Sequence, residues 1–143
     1  MICLEVDRAH DVLLVTFAGA MTTKSLALLD VLLTNFVARE GTMPTVIDFT
    51  AVTAVDVGVA SLVTRGRGRT LMPGQSRIFI TADDLLFGLL RLYSTYQDDR
   101  GERPPITVRS MAEAFELLSL SEPKFEPVAM ASPSSAPSLA ASA

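Results

Sequence analysis

The chain has 143 residues, 49% of them hydrophobic and 20% charged, enough for one domain with a buried core. Twelve Lys and Arg against 16 Asp and Glu give a formal net charge of −4, which argues against a duplex-binding protein, since such proteins carry a basic face. One cysteine, Cys3, and one histidine, His10, exclude an intrachain disulfide and a Cys/His zinc site. No metal or other cofactor is expected.

The mean hydropathy of +0.37 is high for a soluble monomer and directs attention to a sticky face. No apolar run reaches the roughly 20 residues a membrane span needs; the best stretches are interrupted at Asp30 and Arg91. Residues 1–8 carry Glu5 and Asp7 and no basic n-region, so a signal peptide is not expected. A cytoplasmic setting fits the cysteine usage.

In chain order, residues 2–6 form a short apolar run and 12–17 a stronger β-branched one, the pattern of a buried strand. The polar stretch 7–11 between them reads as a hairpin turn, with His10 exposed in it and without a role. Cys3 is expected to be a small core residue. Thr22 or Thr23 caps a helix whose stripe is Leu26, Leu29, Leu33 and Phe36, closed by Gly41. Residues 45–49 predict a third strand, 50–55 a loop, and 57–65 a helix capped by Asp56.

The stretch 65–69, Arg-Gly-Arg-Gly-Arg, breaks or frays that helix, and Pro73-Gly74 marks a turn. Residues 77–81 predict a fourth strand. Thr81 and Asp84 resemble an acidic capping box for a helix reaching about residue 98. A polar loop, 98–105, leads to a fifth strand at 106–109. Ser110 and Glu113 then cap a last helix with Met111, Ala114, Phe115 and Leu118 inward. From residue 122 the composition turns to Ser, Ala and Pro, which predicts a flexible tail at 122–143 after a domain at 1–121.

The order β-β-α-β-α-β-α-β-α predicts an α/β fold: a mixed, mostly parallel five-stranded sheet flanked by about four helices.

This order and certain residues resemble the sulfate-transporter and anti-sigma-factor-antagonist (STAS) domain. The carriers are the strand 13–17 ending in Ala18-Gly19 before a Thr-capped helix, the segment 46–56 with Asp48 and Asp56 eight positions apart, the helix directly after Asp56, and the segment 110–118. The match covers about residues 2–120. It implies a regulatory, non-catalytic protein-binding module whose partner would dock on Thr53, Asp56, Val57, Gly58 and Ser61. Regulatory members place two hydroxyl residues and a Gly after the second Asp, and a kinase partner phosphorylates the first hydroxyl. Here Val57 and Gly58 follow Asp56, so that switch cannot operate at this position. The helix 84–97 and the loop after it also resemble compact bacterial relatives grouped with the lipid-binding CRAL-TRIO fold.

Asp48 and Asp56 could be a carboxylate pair for acid/base work, although capping and turn roles account for both. Gly58 lets a partner chain or an anion approach a helix N-terminus, or allows close packing. Arg65, Arg67 and Arg69 form either an anion site or a solvated loop at a helix end. The third helix is apolar on more than one face. Its excess, Leu86, Leu89, Leu90, Tyr93 and Tyr96, calls for a cover: a second copy in a homodimer, a foreign protein, an acyl chain in an apolar cavity, or the tail folding back through Phe125, Val128 or Met130. The expected functions are thus a protein-binding module first and a small-molecule or lipid-binding protein second, with an enzyme built on the Asp pair last.

Overall fold

A computed structural model describes residues 1–128. The elements are β1 (Ile2–Asp7), β2 (Val12–Thr22), α1 (Thr23–Glu40), β3 (Thr45–Asp56), α2 (Val59–Gly66), β4 (Arg77–Ile80), α3 (Asp84–Asp99), β5 (Ile106–Val108), α4 (Met111–Leu117) and β6 (Glu126–Pro127). They form an α/β fold around one mixed sheet of six strands in the order β5-β4-β3-β2-β1-β6. The run β2-β3-β4-β5 is parallel, and β1 pairs antiparallel with both β2 and β6.

Side chains of a strand alternate between faces, and the two cores follow from this. Leu13, Val15 and Phe17 of β2, Ile47 and Phe49 of β3 and Phe79 of β4 share a cluster with Leu26, Leu29, Leu33 and Phe36 of α1 and Leu86 and Leu90 of α3. Val12, Leu14, Val46, Ile78 and Ile80 point the other way, onto Ala114 of α4. An aromatic ladder, Phe17–Phe49–Phe79–Tyr93, runs across the first face with ring centroids 5.6, 5.6 and 6.0 Å apart.

Thr22 caps α1 in a reciprocal box with Ser25: the Ser25 N–H donates to Thr22 Oγ1 at 3.0 Å and the Thr22 N–H to Ser25 Oγ at 2.7 Å. Gly41, at φ 82°, closes the helix. Ser110 caps α4 as expected, accepting from the Glu113 N–H at 3.2 Å.

Several expectations are corrected. Residues 50–55 are strand, not loop: β3 continues to Asp56 by pairing with β2 as far as Thr22↔Asp56. Asp56 is therefore the last residue of a strand and caps nothing; the N-cap of α2 is Gly58, without a side-chain hydrogen bond. The cap of α3 is Asp83, which accepts from the Leu86 N–H at 2.8 Å, while the Thr81 hydroxyl accepts from the Asp83 N–H at 3.1 Å. Cys3 is exposed, because its side chain falls on the outward phase of β1.

The folded unit also runs past residue 121. Phe125 stacks on Phe115 with centroids 5.9 Å apart, β6 pairs with β1, and Val128 joins the first core. This strap lies on the sheet edge away from β4 and β5, so it does not cover α3. Met130 and the rest of the expected tail lie outside the described residues.

The strap is tied down by Asp7, which is 1% exposed. Its carboxylate accepts from the His10 N–H at 3.0 Å, pairs with His10 Nδ1 at 2.9 Å and accepts from the Lys124 N–H at 2.9 Å. His10 thus has a role, contrary to the sequence reading. Burial by itself pushes the Asp7 carboxyl up, but the hydrogen bonds from His10 and Lys124 outweigh it and hold the group below its ordinary value. A carboxyl that is more acidic folded than unfolded stabilises the fold above the ordinary carboxylate range, and that contribution fades as pH falls through the folded value. Asp7→Ala is accordingly expected to lower the melting temperature at pH 7 and to speed amide exchange at 124–128. The melting-temperature gap should narrow as pH falls below about 4.

Candidate functional site

The first face of the sheet is incompletely filled. Between α1, the strands β3 and β4, the 67–76 loop and α3 lies a cavity of about 410 Å³. Leu26, Leu29 and Leu33 form its α1 wall, Ile47, Phe49 and Phe79 its floor, and Leu71 and Met72 its loop side; Leu90 and Tyr93 enter from α3.

The loop wall is held by the C-terminal half of α3. At Gly66 a Cβ would lie 2.8 Å from Cβ of Tyr96, so only glycine lets α2 and α3 meet this closely. Gln97 is fully buried, and its amide donates to the carbonyls of Gly66 at 2.7 Å and Gly68 at 2.9 Å. Arg67 lies 5.1 Å over the Tyr96 ring, Arg100 donates to the Arg67 carbonyl at 3.0 Å, and Glu102 accepts from the Thr70 N–H at 3.1 Å.

This clamp redistributes the residues singled out in α3. Leu86 and Leu90 are buried in the core at 2% and 5% exposure, so they are not part of an open face. Tyr93 lines the cavity and Tyr96 packs on α2 and Arg67. Arg109 covers Phe87, its guanidinium 4.0 Å from the ring centroid. Leu89 is half-buried, and Leu85 is the large apolar side chain that α3 leaves exposed, at 68%.

The three arginines of 65–69 do not converge as one anion site. Arg65 forms a two-pronged ion pair with Asp30 of α1, one prong at 2.9 Å, and both residues line the cavity. Arg67 is committed to Tyr96. Arg69 lines the cavity, is exposed, and makes no hydrogen bond or ion pair among the described residues.

A fourth arginine gave no signal in the sequence, where it looked like the polar start of a strand. Arg77 opens β4, is 7% exposed and lines the cavity. Its Nη2 donates to the Arg103 carbonyl at 2.6 Å and its Nη1 to the Tyr93 hydroxyl at 3.4 Å, while Nε has no partner. It forms no ion pair among the described residues.

The predicted docking residues sit at one end of the sheet. Strand β4 stops at Ile80, opposite Asp48, whereas β3 runs on to Asp56, so residues 50–56 keep one edge without a strand partner among the described residues. A cleft beside that edge is lined by Val52, Val55, Thr81 and Leu85. Thr53, Asp56, Gly58 and Ser61 are exposed and Val57 is half-buried. A Cβ at Gly58 would meet nothing within 4 Å, so close packing is not what calls for glycine there.

Asp48 and Asp56 are eight positions apart on one strand, hence about 25 Å apart, too far to share a reaction centre. Asp48 instead accepts from the N–H and hydroxyl of Thr50, at 2.9 and 2.7 Å. Among the described residues no cluster of three or more His, Cys, Asp or Glu is placed to hold a metal, and no helix is long and apolar enough to cross a membrane. No protein-family model matches the chain, and no curated protein matches it.

Two substitutions test the clamp. Gly66→Ala forces Cβ against Tyr96 and should cost about 1–3 kcal/mol in denaturant unfolding. Gln97→Met leaves two carbonyls without their donor and should cost about 1–3 kcal/mol, with faster amide exchange across 66–72.

Proposed function

We propose that this protein is a non-catalytic binding module that holds a small, largely apolar ligand in the cavity between α1, the sheet and the 67–76 loop. The observation that carries the reading is the cavity: about 410 Å³ walled mainly by leucine, isoleucine, methionine and phenylalanine side chains. Ligand sites fall at roughly 300–1,000 Å³, and this cavity lies within that range. The resemblance to the CRAL-TRIO-related group points the same way. A cytoplasmic setting belongs to this reading.

Native mass spectrometry of the protein purified from its own cells is expected to show a bound small molecule. Leu29→Phe, which adds volume to the α1 wall, should reduce that occupancy at least tenfold while leaving the melting temperature unchanged or raised. Full occupancy in the variant, or an empty wild-type protein that binds no apolar compound, would count against the reading.

The open β3 edge favours a second reading, the regulatory protein-binding module that the STAS resemblance implies. An unpaired edge flanked by Val52, Val55 and Leu85 suits an added strand from a partner, including a second copy of this chain. With Val57 after Asp56, any such regulation works without the usual phosphorylated hydroxyl. Leu85→Glu should then abolish partner capture, or dimer formation on sizing, without lowering the melting temperature; capture unaffected by this variant would remove the idea.

A further inference from the structure

We propose that the cavity selects an anionic amphiphile, a medium-length straight-chain carboxylate, with its head held by Arg69 and Arg77 and its chain along α1. This rests on the cavity reading above and specifies its ligand.

The charge balance of the lining carries the inference. Three arginines, Arg65, Arg69 and Arg77, line the cavity against one acid, Asp30, and Asp30 is taken by Arg65. Two guanidinium groups thus face one cavity without a carboxylate among the described residues, in a chain whose net charge is −4. Arg77 is the sharper case. It is more than nine-tenths buried and its Nε is unpartnered, and its two hydrogen bonds go to neutral oxygens. An unpaired buried charge is strongly unfavourable, and a carboxylate entering the cavity supplies the missing counter-charge in the planar geometry that guanidinium favours. Tyr93, bonded to Arg77, holds that group from the α3 side.

The remainder of the lining sets the rest of the ligand. Leu26, Leu29, Leu33, Phe49 and Met72 offer no charge to a second polar end, which excludes a compact polyanion as the best fit. The volume of about 410 Å³ falls in the range of small-molecule sites and suits one medium-length chain.

The test is calorimetric titration of the full chain with decanoate, decanol and inorganic phosphate. Decanoate is expected to bind at least tenfold more tightly than decanol, the difference expected of charge-assisted hydrogen bonds, and phosphate to bind weakly or not at all. Arg69→Gln, at an exposed and unpartnered residue, should weaken decanoate about fivefold or more and leave both decanol binding and the melting temperature unchanged. Arg77→Met should weaken decanoate further, read alongside circular dichroism because its bond to the Arg103 carbonyl is also lost. Equal binding of decanol and decanoate would overturn the anionic head while leaving the cavity reading standing. Phosphate binding as tight as decanoate, or decanoate binding unaffected by Arg69→Gln, would overturn it too. Failure of both ten-carbon compounds to bind would remove the proposal and the cavity reading together.

Discussion

The parallel pairing of β2 with β3 is the constraint on which the rest of this molecule depends. It runs from Leu13↔Thr45 to Thr22↔Asp56, with two irregularities where β3 carries an extra residue. On its inward side Leu13, Val15 and Phe17 are wholly buried. Because β2 must continue to Thr22 to reach the α1 cap, β3 is drawn out alongside it well past the point where β4 ends. That mismatch of strand lengths leaves the free edge at 50–56. It also delays the turn into α2, which starts at Val59 beyond the end of the sheet rather than at Asp56.

The cavity follows from a second constraint, the close meeting of α2 and α3. Gly66 lets the two helices touch at Tyr96, and Gln97 fastens the carbonyls of Gly66, the last residue of α2, and of Gly68 just beyond it. The loop to β4 is thereby fixed at its start, and Met72 and Leu71 close over the aromatic floor without filling the space above it. The apolar excess of α3 is spent in several directions at once: on the core through Leu86 and Leu90, on the cavity through Leu90 and Tyr93, and on arginine side chains through Phe87 and Tyr96. A single helix with an uncovered face was the simpler inference from its composition, and it is not what the packing does.

The two buried charges among the described residues are treated differently. Asp7 is satisfied by hydrogen bonds from His10 and from the Lys124 N–H, which makes it a structural fastener between a turn and the C-terminal strap. Arg77 is held by neutral oxygens alone and retains an unpartnered Nε. Desolvation is costly for both, so a group left partly unsatisfied beside an open cavity is chemically the more informative of the two.

The sequence by itself determined the fold class, the order of the first nine elements, the α1 stripe, the cap at Ser110 and, to within one residue, the cap of α1 at Thr22 or Thr23. These depend on periodicity and on hydrogen bonds within four residues, which a linear reading contains. Only the tertiary structure decided that 50–55 is strand, because that choice depends on pairing with β2, more than thirty residues earlier. The same holds for β6, a two-residue strand that exists only because Asp7 and β1 receive it. In the candidate site, Arg65, Arg69 and Tyr93 were legible as residues of interest, but Arg77, Gln97 and the spacing role of Gly66 were not. A buried arginine, a buried glutamine and a helix-end glycine look ordinary in sequence. What sets them apart is the set of atoms brought against them from α3 and the loops, and burial of a polar group takes its meaning from such distant partners.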